Sequence, residues 1–225
     1  MAGYFGTDFF PFLEDLREHN NRDWFQENKE RYERAVRDPC LSFIADLAPR
    51  LRRLSQHFFA DPSPVGGSMM RIYRDIRFSK DKSPYKTAIG LHFRHTKGEE
   101  SAPAFYVHLE PKSSSAGGGV WRPPAPALKR IRDAIAAKPA AWERAKAGEF
   151  RAGCGMAGAS LKRPPPGYDP DHRFIEDIKR KDFAATLALS NKDVTSAGVM
   201  DTMLGAFATI GPLMRFLTEA VGLPY

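Results

Sequence analysis

Between Met69 and Lys97 the chain gathers the side chains best suited to handling an anion. Eight cations (Arg71, Arg74, Arg77, Lys80, Lys82, Lys86, Arg94 and Lys97) stand against two carboxylates, Asp75 and Asp81, so this stretch holds six of the seven net positive charges of the 225 residues. Like charges packed so closely repel unless something negative is held among them. The guanidinium forks of Arg71 and Arg77 and the ammonium groups of Lys80, Lys82 and Lys86 suit phosphate, sulfate or carboxylate through charge-assisted hydrogen bonds. Tyr73 and Tyr106 offer ring faces, His92 a further polar contact, and Asp75 and His108 groups able to take or give a proton beside a bound substrate. The competing reading of Asp75 is that it orients the arginines.

Other chemistries find less support. His92, His108 and Glu110 have the residue types of a two-histidine, one-carboxylate metal site, but no His-x-x-x-His or His-Glu-x-x-His spacing accompanies them, and a divalent metal is not the preferred reading. Cys40 and Cys154 are far apart with no Cys-x-x-Cys pair, which points away from a disulfide framework and from structural zinc. No Gly-x-Ser-x-Gly elbow occurs and Cys40 lies in an apolar helical pattern, so a nucleophilic hydrolase is set aside. The turn from Ser79 to Lys86 is rich in lysines and hydroxyls, yet lacks the glycines of a Walker loop. Gly117-Gly118-Gly119 before Trp121 reads as a flexible connection, and His172 between aspartates as a capped turn.

The elements that must position these residues follow from periodicity. Phe9, Phe10, Phe12, Leu13 and Leu16 mark a first helix ending near His19-Asn20; Asn21 caps a second that carries Trp24, Phe25, Tyr32 and Val36; Leu41 to Leu54 form a third. From Met69 the period falls to two. Met70, Ile72, Ile76 and Phe78 alternate with Arg71, Tyr73, Asp75 and Arg77, and two further alternating runs, Ile89–Arg94 and Phe105–Glu110, complete an antiparallel meander. The alternation predicts Arg71, Tyr73, Asp75, Arg77, His92, Arg94, Tyr106, His108 and Glu110 on one sheet face. Arg74 falls on the apolar side, which predicts a buried structural guanidinium paired with a helix carboxylate such as Asp23, Asp8 or Glu14. Ser113 to Gly119 reads as a loop, Val120-Trp121 as a short strand, Phe183 to Leu189 as a late strand, and residues 197 to 221 as a long helix that Gly211-Pro212 should bend. The fold class expected is α+β, one domain over residues 1–225, with the meander of residues 69–122 packed against N- and C-terminal helices.

Within this pattern, Arg71-Ile-Tyr-Arg74-Asp75-Ile-Arg77-Phe78 followed by Asp81-Lys82-Ser-Pro-Tyr85 resembles the bacterial family called domain of unknown function 2461, in which an Arg-x-x-Arg-Asp-x-Arg-Phe run precedes Asp/Asn-Lys-x-x-Tyr. Asn21-x-Asp23-Trp24-Phe25, Tyr106-x-His108, Gly118-Gly119 and Leu161-x-Arg163-x-Pro165-x-Gly167-Tyr168 extend the resemblance over nearly the whole chain. It implies a family and no reaction.

No run is long and apolar enough for a membrane helix, and Met1 to Gly6 lack the features of a signal peptide, so a cytoplasmic protein without a membrane partner is expected. The leading functional expectation is a protein that binds a phosphorylated small molecule or nucleotide through Arg71, Arg77 and Lys82, with the other basic residues around them, and that turns it over if Asp75 or His108 handles a proton. A nucleic-acid module, with the basic stretch tracking a backbone and tyrosines stacking on bases, is the alternative. A module meeting an acidic protein surface is the third.

Overall fold

The computed structural model describes residues 3–98 and 102–225. Helices come first, then a sheet, then helices with one inserted strand pair. The first layer is α1 (Phe9–Glu18), α2 (Arg22–Glu27), α3 (Lys29–Tyr32), a π-helical turn (Glu33–Arg37) and α4 (Asp38–Leu54). Asn21 caps α2 as its sequence position predicts, its side chain accepting the Trp24 N–H at 2.9 Å. The sheet has the order β1-β2-β3-β5-β4 and every neighbouring pair is antiparallel: β1 (Ile89–Phe93), β2 (Ala104–Leu109), β3 (Ser114–Val120), β4 (Gly155–Ala157) and β5 (Phe183–Leu189). Between β3 and β4 come α5 (Ala125–Ala137), α6 (Pro139–Ala145) and α7 (Glu149–Gly153). Then α8 (Ile175–Ile178) precedes β5, and α9 (Asn191–Thr195) and α10 (Val199–Ala220) close the fold. The architecture is α+β.

One sheet face is buried because alternate strand positions are apolar. Phe93, Phe105, Val107, Leu109 and Ala116 point inwards, and α10 lies across them with Phe207 against Phe105 and Phe93 at ring distances of 4.8 and 5.8 Å. Each large apolar side chain so buried contributes roughly 1.5–3 kcal/mol. Gly118 lets α10 approach, since a Cβ there would come within 2.7 Å of the Met214 sulfur.

Two expectations from the sequence fail in the same neighbourhood. Residues 69–78 form no regular strand: Met69 and Tyr73 make single bridges, to Leu91 and Tyr85, and the ladder stops there. Local hydrogen bonds compete with it, because Asp75 accepts the Arg77 N–H and Asp81 accepts the Ser83 N–H at 2.9 Å, while Pro84 has no N–H to give. Conversely, the Ser/Gly-rich stretch expected to be a loop is the central strand β3. Its glycines permit β5 to come close: a Cβ at Gly117 would lie 2.2 Å from the Ala185 carbonyl oxygen, and one at Gly119, whose φ is +141°, 2.1 Å from that of Phe183. The glycines that suggested flexibility are the condition for pairing.

Candidate functional site

Asn20, at the end of α1, clasps the segment that follows Met69 into place. Its side chain donates to the Tyr85 carbonyl and accepts the Tyr85 N–H, both at 3.1 Å, and the buried Tyr85 ring stacks on Phe25 at 4.1 Å. Backbone bonds from Arg74 N to Pro84 O and from Lys86 N to Ile72 O close the segment into a hairpin-like excursion. Its tip projects: Phe78 is 96% exposed.

This geometry disperses the predicted site residues. Asp75 and Arg77 form an exposed bidentate pair, 2.9 and 2.7 Å, and the Arg77 guanidinium holds the Asp75 carboxyl below its usual range. In this structure Asp75 is thus paired with Arg77 within the excursion. Lys82 is spent on the Ile76 carbonyl at 3.0 Å; Lys80 and Arg71 are exposed. Tyr73 is half exposed, 5.3 Å from the Tyr85 ring and off the sheet. Arg74 is half-buried rather than buried, and its carboxylate is Asp81 of the same excursion, not one from a helix. The Ser83 hydroxyl and then Arg74 hold Asp81 well below the carboxylate range. Asp8, one of the partners expected for Arg74, pairs with Arg31 instead.

The open sheet face keeps the rest of the set. His92, Tyr106, Gly117, Thr186 and Gly155 lie in one register row across all five strands. His92, Tyr106, Gly117 and Thr186, with Met70, Gly118, Gly119 and the half-exposed Trp121, line a groove of about 550 Å³. Gly90 makes room for Tyr106 to lie down over β1, because a Cβ at Gly90 would meet its hydroxyl at 2.5 Å. Burial, reinforced by Arg94, pushes His92 below its ordinary pKa and keeps it neutral; burial raises Tyr106. Across the ladder His92 faces Tyr106 and His108 faces Gly90, so the Tyr106 ring sits between the two imidazoles at 6.3 and 6.4 Å. The metal triad is not assembled, and among the described residues no three His, Cys, Asp or Glu groups are placed to hold an ion.

His108 Nε2 is 3.0 Å from Glu110 Oε2, and Glu110 Oε1 accepts from Arg17 at 3.1 Å. Arg17 leads to a second hollow of about 430 Å³ between the end of α1 and the excursion, lined by Arg17, Asn20, Arg74, Asp81, Ser83, Tyr85, Lys86 and Thr87. Lys86 donates to the Arg71 carbonyl at 2.8 Å and has no carboxylate within ion-pair reach among the described residues. Burial, with repulsion from Arg71, holds its ammonium below the ordinary lysine pKa. Arg17, Asn20 and Thr87 are the residues that sequence reasoning missed. Arg17 reads only as a last-turn helix cation, and Asn20 had a signal in its place beside the Asn21 cap.

An α+β protein whose antiparallel sheet is covered by a long helix on one face and lined with ionisable and ring side chains on the other is the class these observations define. The chain belongs to the family described as a conserved hypothetical protein, DUF2461, whose family model matches residues 8–216 and so spans all of the groups above. Among curated proteins, none matches the chain. No helix among the described residues is long and apolar enough to cross a membrane.

Proposed function

We propose that the protein binds a phosphorylated small molecule, with the phosphate in the cleft between α1 and the excursion and the organic part along the open sheet face past His108 towards Tyr106. The observation that carries this reading is Lys86, a partly buried cation beside Arg17 and Arg74 with no carboxylate within ion-pair reach among the described residues. A bound phosphate supplies the missing counter-charge, and the Thr87 hydroxyl lies in the same cleft as a further donor. Glu110 holds the His108 imidazole, and Arg17, which lines the cleft, holds Glu110, so a group able to move a proton is linked to the cleft through two contacts. His108, not Asp75, is the acid–base residue of this reading. Tyr106, two residues before it on β2, has its ring 6.4 Å from the imidazole, close enough to meet a sugar or base ring.

The test is a thermal-shift and calorimetric screen of nucleotides and sugar phosphates against wild type, Lys86→Gln and His108→Asn. Stabilisation of wild type by one such compound, lost in Lys86→Gln and kept in His108→Asn, supports the reading, because a bound ligand must raise stability by mass action. Equal binding to wild type and Lys86→Gln sinks it. The exposed Phe78 and Tyr73 beside Arg77, Lys80 and Lys82 favour a second reading, single-stranded nucleic acid. That reading requires affinity for oligonucleotides that falls steeply and linearly in log salt.

A further inference from the structure

A second group of unmatched cations assembles far from the basic stretch of the sequence. Arg122 follows β3, Arg132 is on α5, and Lys181 precedes β5; with Trp121, Leu128 and Asp182 they line a cleft of about 550 Å³. Nothing in the sequence links the three. Among the described residues none of them makes a salt bridge to a carboxylate. The nearby acids are engaged: Asp182 accepts the backbone N–H groups of Arg122 and Ala159 at 2.8 and 2.9 Å, and Asp133 is bonded to Lys129 and Tyr168 at 2.7 and 2.8 Å. Arg180 adds charge behind the cleft, its guanidinium spent on the carbonyls of Asp182 and Ala157.

Two local features are held at a cost here. Arg132 is anchored through Nη2 to the Arg180 carbonyl at 2.9 Å, its Nε is buried with no acceptor, and burial lowers its pKa. A partly buried guanidinium with an unmet donor favours an acceptor or a counter-charge beside it, and the Asp182 carboxylate in the same cleft supplies only part of that charge. Arg122 is held at a φ of +49°, a region a long side chain rarely occupies, and its N–H bond to Asp182 keeps it there. In addition, α5 begins at this cleft with Pro124 at its cap and no capping side chain, so the first-turn amides add partial positive charge. Trp121 lines both this cleft and the sheet groove.

We propose that the Arg122–Arg132–Lys181 cleft is a second anion site, separate from the Lys86 cleft, which takes the phosphate of an aromatic phosphate monoester whose ring passes Trp121 into the groove above Gly117 and Gly119. The ring then meets a floor without side chains and walls of Trp121 and Tyr106, and the charges sit at one end only. Its phosphate cleft is separate from the Lys86 cleft and is tested separately, while the organic parts of both ligands reach Tyr106.

The experiment titrates inorganic phosphate and phenyl phosphate into wild type, Arg122→Asn/Lys181→Gln, Lys86→Gln and Trp121→Phe, reading tryptophan fluorescence and heat. Asparagine tolerates the positive φ at 122, and neither replaced side chain carries a hydrogen bond of the fold, so the double variant should fold. The expected result is a fluorescence change in wild type that disappears in Trp121→Phe. Phenyl phosphate should bind more tightly than phosphate, the double variant should lose affinity at least about tenfold for both probes, and Lys86→Gln should leave the signal intact. Wild-type affinity in the double variant, absence of a Trp121 signal, or equal affinity for the two probes would overturn the proposal. Loss of all binding in Lys86→Gln alone would also overturn it while leaving the first cleft standing. Loss in the double variant alone would do the reverse.

Discussion

Arg31 and Lys86 are both partly buried cations near the α1 end of the molecule, and the fold treats them in opposite ways. Arg31 is completed by its surroundings: Nε and Nη2 meet Asp8 at 3.0 and 2.6 Å, Nη1 meets Asp15 at 2.6 Å, and the guanidinium lies over the Phe12 ring. Its pKa is raised, chiefly by the Asp8 bond. Lys86 meets one carbonyl, and its pKa is lowered by burial. The first cation is completed by the scaffold; the second has no carboxylate within ion-pair reach among the described residues, and in the reading proposed above a ligand completes it. Total charge does not separate them; the pairing does.

The largest expected effect tests the scaffold side. Arg31→Gln leaves Asp8 and Asp15 facing each other on α1 without their fork. With the pair partly screened by solvent, the loss is about 1.5 kcal/mol, or roughly 3–6 °C in melting temperature for a chain of this size. The pH dependence has a definite sign. The Arg31 bond holds Asp8 below its unfolded value of 3.8, so the pair stabilises fully above that pH and is lost as pH falls through the lower folded pKa. Urea melts from pH 7 down to 2 should show a shallower acid limb in the variant. An unchanged melting temperature would mean that carboxylate pairing does not distinguish scaffold from site.

Much of this contrast was hidden in the sequence for physical reasons. Helices α1 and α10, strands β1, β2 and β5, and the Asn21 cap that starts α2 are legible, because apolar period and capping are local; the single second helix expected through Val36 is instead α2, α3 and the π-helical turn. The excursion was misread because Arg71-Ile-Tyr-Arg-Asp-Ile-Arg-Phe alternates like a strand, whereas the competing bonds of Asp75 and Asp81 with Arg77 and Ser83 appear only when the turn is built. β3 was misread because a glycine run looks flexible until another strand lies against it. His92, Tyr106 and His108 share the open face as their spacing predicts, since β2 is regular. Arg17, Arg132 and Lys181 reach their clefts only through tertiary packing, and no local pattern marks them.

The middle-sized effect tests the site side, and its sign is reversed. Lys86→Gln removes a charge that burial disfavours, so stability at neutral pH should hold or rise by less than about 1 kcal/mol, while affinity for a phosphorylated ligand falls about tenfold. Lowered below 10.5 in the fold, Lys86 sheds its proton before the unfolded chain does. The wild type therefore gains stability as pH climbs from the folded pKa towards 10.5, and the variant lacks that gain. Melts at pH 8 and 10.5 measure the difference. A variant destabilised like Arg31→Gln would reassign Lys86 to the scaffold.

The smallest effect is expected where the sequence looked most suggestive. Asp75 and Arg77 are paired like Arg31 and Asp8, but in the open, with 45% and 76% of their side chains exposed. Solvent screens such a pair and no packing depends on it. Arg77→Gln and Asp75→Asn should each leave the melting temperature unchanged and leave phosphate binding at the Lys86 cleft unchanged, in calorimetry run beside Lys86→Gln. If Arg77→Gln weakened binding as Lys86→Gln does, the excursion would have to fold its tip over the cleft when ligand binds. Arg77 would then leave Asp75 for the phosphate, and the boundary between matched and unmatched cations would itself depend on the ligand.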